Sequence, residues 1–137
     1  MIEEGLVTKL TSTTAISEAV RDRIFPIIVP QGVAMPALTF QRVNTDRHVA
    51  HDNPSSAVVA SIALTGWDDS YLGAKQLAAK LVAATTAGLQ CFRGTLGDHT
   101  DCMMKITGER DVFGYPAEQE ERIRYGVELT LDIWHGE

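Results

Sequence analysis

A chain of 137 residues, 45% hydrophobic and 22% charged with a mean hydropathy of -0.03, has the size and balance of one ordinary globular domain, large enough to bury a core without disulfides or metals. Twelve Lys and Arg against eighteen Asp and Glu leave a net charge of -6, which repels a phosphate backbone and argues against tight nucleic-acid binding. No apolar run approaches the roughly 18 residues that span a bilayer, and the acidic opening Met1-Ile2-Glu3-Glu4 is unlike a basic secretory leader, so a protein that stays in the cytoplasm where it is made is expected.

Ile2, Leu6 and Leu10 recur every four positions with Glu3, Glu4 and Lys9 off the stripe, which predicts an amphipathic helix whose acidic first turn suits its positive end. Thr11-Ser12-Thr13-Thr14 favours caps and turns, and Ile16, Ala19 and Val20 then mark a second short helix ending near Asp22. Ile24 to Pro30 is apolar and β-branched, but its flanking prolines confine it to a short or edge strand. A second strand is predicted around Leu38 to Val43, between Pro36 and Asn44. The polar stretch Thr45 to Ser56 shows no period and is expected to be a long loop.

In the third strand Val58, Ala60, Ile62 and Leu64 alternate with Val59, Ser61, Ala63 and Thr65. Gly66 to Ser70 supplies helix caps, after which Ala74, Leu77, Ala78, Leu81 and Val82 line one face of the main core helix, expected to end near Gly88. Beyond a turn region at Gly94 to Gly97, Cys102 to Val112 reads as a strand, with Cys102, Met104 and Ile106 on one face and Met103, Lys105, Thr107 and Glu109 on the other. After the Gly114-Tyr115-Pro116 turn, Ile123, Tyr125, Val127, Leu129, Leu131 and Ile133 alternate with polar partners, the strongest pattern in the chain. The order predicts an α+β fold: one domain, 1–137, with a mainly antiparallel sheet of about five strands, helices packed on one face and a long C-terminal hairpin.

Two lengths ask for explanation. A domain of this size is roughly 35 to 40 Å across, whereas a strand from Glu121 to Trp134 spans on the order of 45 Å, so the 102–134 hairpin is expected to bend or project. The Thr45–Ser56 stretch is as long as loops become when they are functional or disordered. Both look like arms that touch a neighbour.

Candidate chemistry is sparse. His48-x-x-His51-Asp52 could ligate a metal or do acid–base work, but a catalytic zinc site wants a third ligand, and only the His99–Asp101 cluster could donate one. Cys91 and Cys102 form no CxxC and read as two reduced thiols. No GxGxxG after a strand, GxxxxGK[ST] or GxSxG is present, which removes the usual anchors of nucleotide-binding and hydrolase readings. Asp68-Asp69 reads as helix capping and Glu120-Glu121 as a solvated strand entrance. Trp134 alternates onto a nominally polar face, where either the N-terminal helices or an interface would cover it.

The order of Ile2-Glu3-Glu4-Gly5-Leu6-Val7, Ala15-Ile16, Arg23-Ile24-Phe25-Pro26, Pro30-Gln31-Gly32, Pro36 to Gln41, His51-Asp52, the Tyr71/Ala74/Leu77 helix and the closing Leu129-x-Leu131-x-Ile133-Trp134 resembles the small tail completion proteins of tailed bacteriophages, related in fold to the lambda tail terminator. The resemblance implies a non-enzymatic virion protein without cofactors, assembled in the host cytoplasm. It would form a six-subunit ring between the head–tail connector and the last ring of tail-tube protein, with DNA passing through the lumen unbound. Contacts are expected from Arg47, His48, His51 and Asp52 in the polar loop and from Glu109, Arg110, Asp111 and Tyr115 at the hairpin tip. The competing readings are a neck adaptor bound to the head connector alone, and a small metal-dependent enzyme built on His48, His51 and Asp52.

Overall fold

The computed structural model describes residues 2–30, 33–50, 53–82, 92–96, 99–114 and 124–136. Three helices, α1 (Ile2–Ser12), α2 (Thr14–Val20) and α3 (Tyr71–Val82), accompany six strands: β1 (Ile24–Pro26), β2 (Ala37–Ala50), β3 (Asn53–Asp68), β4 (Phe92–Leu96), β5 (His99–Gly114) and β6 (Arg124–Gly136). They form one sheet in the order β1-β2-β3-β6-β5-β4, antiparallel throughout except for the β1–β2 pair. The α+β architecture is the expected one, with β4 added where the sequence suggested only a turn.

Each helix forms for a local reason. Ile2, Leu6 and Leu10 are fully buried on one stripe of α1. At its end the hydroxyls of Thr11 and Thr13 donate back to the carbonyls of Val7 and Lys9 at 3.0 and 2.8 Å, and Thr13 N–H also reaches Lys9 C=O at 3.1 Å, so the Thr/Ser run folds its own polar groups onto the last turns. Arg21, with φ 55°, stops α2. Ser70 caps α3: its Oγ accepts from Gly73 N–H at 3.0 Å.

The alternating residues of β3 and β6 meet these helices. Ala60, Ile62 and Leu64 of β3 and Val127, Leu129, Leu131 and Ile133 of β6 are buried in one cluster with Leu6, Leu10, Ile16, Leu77 and Leu81. At the close approach of α3, Gly66 leaves room for Leu77, since a Cβ there would sit 2.9 Å from Leu77 Cδ2. Among the described residues the opposite, more open face is covered chiefly at one end, where Val29 and Ala37 bury themselves against Phe25, Val33, Met35 and Trp67. Trp67 Nε1 donates to Thr39 Oγ1 at 3.0 Å beneath that cover.

Three expectations change. Thr45–Ser56 is not a long loop: its described residues, 45–50 and 53–56, belong to β2 and β3, which remain paired as far as Ala50 and Asn53. Past the Ala57–Gly136 pair β3 has no described partner but β2, so this hairpin ends as a two-stranded ribbon, while the tip of the C-terminal hairpin, where a projection was expected, lies outside the described residues. β6 is paired to β3 and β5 along nearly its whole length, which puts the long C-terminal strands in the middle of the sheet. The strands of 13 to 16 residues make the sheet about 50 Å long instead of forcing one hairpin out of a sphere. Finally, a bulge between Ile106 and Gly108 reverses the phase of β5, so Glu109 and Asp111 share the helix-covered side with Cys102, Met104 and Ile106.

Candidate assembly interface

A charged and aromatic cluster sits where α3 begins and the β5–β6 pair ends. Register places Asp111 opposite Val127 and Phe113 opposite Tyr125. Asp111 thereby meets the first turn of α3: Lys75 Nζ donates to its Oδ1 at 2.5 Å and Tyr71 Oη to its Oδ2 at 2.8 Å. The bond from Lys75, then that from Tyr71, holds the Asp111 carboxyl below its ordinary range, and the same contact raises Lys75. Tyr71 stands edge-on to Tyr125 with ring centres 6.5 Å apart. Arg124 pairs with Asp69 beside them. Asp68, raised by burial and only partly offset by Arg124, completes the group.

This cluster carries exposed apolar surface. Phe113 is 77% exposed and Leu72 67%, with Tyr71 and Tyr125 also open to solvent. Nothing in the main core needs them. Exposed aromatic and apolar side chains set among charged ones are the surface character expected of a contact region.

The expected contact residues divide by place. Glu109, Arg110 and Asp111 lie within β5, paired to β6, and not at the hairpin tip. Arg110 reaches the open face, where its guanidinium makes a two-pronged bond to Glu128 at 3.0 and 3.3 Å. Arg47 and His48 are positions of β2 opposite Val58 and Ala57. His51, Asp52 and Tyr115 lie outside the described residues. The structure therefore groups Asp111 with Tyr71, Lys75 and Phe113, which sequence spacing did not connect, and sets Arg47 and His48 toward the other end of the sheet. Among the described residues no three His, Cys, Asp or Glu side chains converge as a metal site. His48 and His99 belong to β2 and β5, whose backbones lie about 14 Å apart with β3 and β6 between them.

Trp134 is opposite Val59 and Met103 on the open face, so the N-terminal helices do not cover it. Nearby, Ser61 Oγ donates to Asp132 Oδ1 at 2.7 Å. A groove of about 570 Å³ between α1 and the β1–β2 edge is lined by Val7, Thr8, Pro26 and Phe40, with Glu3 and Glu4 beside it. Glu3 is held there by Arg42, whose Nε lies 2.7 Å from Glu3 Oε1.

Residues 4–98 match the family described as tail completion protein gp17. The chain belongs to that family. Membership in a family described as tail completion proteins makes it a structural component of a virion tail. Among solved structures the whole chain superposes on 95% of a chain from the virion of a native gene transfer agent particle, with a TM-score of 0.69 and 13% identity, a likeness of fold. No curated protein sequence matches. No described helix of this tail completion protein is long and apolar enough to cross a membrane.

Proposed function

We propose that this tail completion protein forms a ring, of six subunits, at the head-proximal end of the tail, where it ends growth of the tail tube and joins the tail to the head–tail connector. The observation that carries the reading is the family match over 4–98. The long sheet supports it, because its two ends differ in build, a charged end carrying the exposed aromatics Phe113 and Tyr125 and, opposite, the two-stranded end of β2 and β3, polar in sequence. A terminator needs that asymmetry: one end accepts the last tube ring and the other refuses a further ring and accepts the connector. The chain's negative charge suits a lumen through which DNA passes without sticking.

Electron microscopy of particles from a genome lacking the gene tests this. Filled heads beside overlong, unattached tails are expected. Tails of normal length that fail to attach would reassign the protein as a neck adaptor on the connector alone, and normal infectious particles would refute both.

A further inference from the structure

We infer that neighbouring copies in the ring join edge to edge, β5 of one subunit pairing antiparallel with β2 of the next through positions 108–112 and 44–48. The inference rests on the ring reading above and adds to it the contact surface and its register.

Among the described residues both edges are open. There β1 covers β2 at Leu38 to Phe40, and β4 covers β5 as far as Met104. Beyond those points neither strand has a described partner on its outer side. A row of outward N–H and C=O groups on a long strand is a template for another strand. Each edge also has one regular window: Asn44 to His48 lies between two bulges of β2, and β5 is regular from Gly108 onward.

The hydrogen-bonding phase matches. Leu38 N–H and Phe40 C=O point outward, to Arg23 and Ile27. Counting through the bulge near Val43 leaves the backbone groups of Thr45 and Arg47 directed outward. The same count carried across β3 and β6 leaves those of Glu109 and Asp111 outward on β5. Setting Thr45 against Asp111 and Arg47 against Glu109 makes two hydrogen-bonded pairs, with Asp46 against Arg110 between them.

Charge selects this register. Position 46 brings an Asp to Arg110 on the open side, and the same register sets position 47, an Arg in the sequence, against Glu109. Pairing β5 with a second β5 about a two-fold axis would set Glu109 against Asp111 and Arg110 against itself, so the edge is built against the isologous dimer. Within one subunit Thr45 is level with Met104, through Ala60 and Ile133. Moving its partner from Met104 to Asp111, across the bulge, staggers the next subunit by the six ladder positions from Ile133 to Val127, about 20 Å along the strands, against about 19 Å of width for the four strands β2, β3, β6 and β5 that lie between one contact and the next. That ratio tilts the strands by roughly 45°, at the upper end of the range at which sheets close on themselves.

Asp46→Cys combined with Arg110→Cys tests the register. These positions would form a non-hydrogen-bonded pair with Cα atoms about 4.5 Å apart, within disulfide reach. The purified double variant, and particles carrying it, are oxidised and read by non-reducing gel and native mass spectrometry. A ladder of covalent multimers, absent from either single variant and from wild type, is expected. A ring mass without the ladder, or a bond to a different particle protein, overturns the edge pairing and leaves the ring reading intact. A single copy both in solution and in particles overturns both.

Discussion

Lys75 and Asp111 meet at 2.5 Å although 36 residues separate them, tying the first turn of α3 to the end of β5. The contact gives a pH signature. Asp111 is depressed in the fold, so its contribution is present above the ordinary carboxylate value and is lost as pH falls through the lower folded one. Lys75 is raised, so its contribution is present below the ordinary lysine value and is lost as pH rises through the higher folded one. Asp68 acts oppositely to Asp111: its folded value is raised by burial, so its favourable effect belongs to acid and fades as pH rises through that value. Melting curves of Asp111→Asn should show a small loss at neutral pH that shrinks toward acid and in high salt, whereas Asp68→Asn should lose its advantage toward acid. A loss in Asp111→Asn that is the same at pH 2 and pH 7 would refute the pairing.

Gly66 and Gly126 are packed from opposite faces of the sheet. A Cβ at Gly126 would lie 3.0 Å from Trp67 Cε3 and 3.1 Å from both Thr65 Cγ2 and Val112 Cγ2. Gly126→Ala should therefore cost about 1–3 kcal/mol in urea unfolding, as overpacking does. Gly66→Ala should cost a similar amount, and Leu77→Val in the same chain should recover part of it, because the clash is with that side chain alone at under 3.0 Å.

Ser70 supplies the capping oxygen of α3, so Ser70→Ala should lower stability by about 1 kcal/mol, with Ser70→Thr close to wild type. Equal losses in both variants, measured by urea unfolding, would remove Ser70 from the capping role.

Phe113 separates folding from assembly. At 77% exposure its replacement in Phe113→Ser should change stability by no more than about 0.5 kcal/mol while lowering the yield of joined particles. Leu129→Ala, fully buried, should instead cost about 2–5 kcal/mol. Wild-type particle yield from Phe113→Ser would exclude the aromatic end from the contact.

Ile27 holds a positive φ of 66° while 68% exposed. The left-handed region is strained for a β-branched residue, so Ile27→Gly should raise thermal stability slightly, the relief of about 1–2 kcal/mol exceeding glycine's entropic cost. A lower melting temperature would show that the Ile27 side chain contributes contacts the fold needs.

The sequence made the core legible wherever one face of an element is buried. Ile2, Leu6 and Leu10, and the run from Tyr125 to Ile133, carry the period of their element because helices and sheet divide them into two environments. The continuation of β2 past Val43 was illegible for the converse reason. Residues 41–44 and 46 are exposed, so no burial writes a period of two into Gln41 to Asp46. β4 is only five residues and contains Gly94, which looks like a turn until Leu96 is seen buried under α1. The misplaced face of Glu109 traces to one inserted residue, the bulge near Thr107, which flips everything after it. The expected contact residues rest on polarity, which picks out Asp111 but not the Tyr71 and Phe113 that lie beside it. Those join it through a helix start and a strand register that no local pattern encodes.

The position of β6 between two antiparallel neighbours bears on mechanics. Tyr125 to Gly136 is laced to β3 on one side and, over most of that length, to β5 on the other. A force directed along this strand loads both ladders in shear, so many bonds share the pull at once and none can be peeled open ahead of the rest. A load applied across the strands, at the β2 or β5 margin, would instead unzip the sheet pair by pair. The molecule is stiff in one direction and yielding in the perpendicular one, and the way it is mounted in a particle decides which property is used.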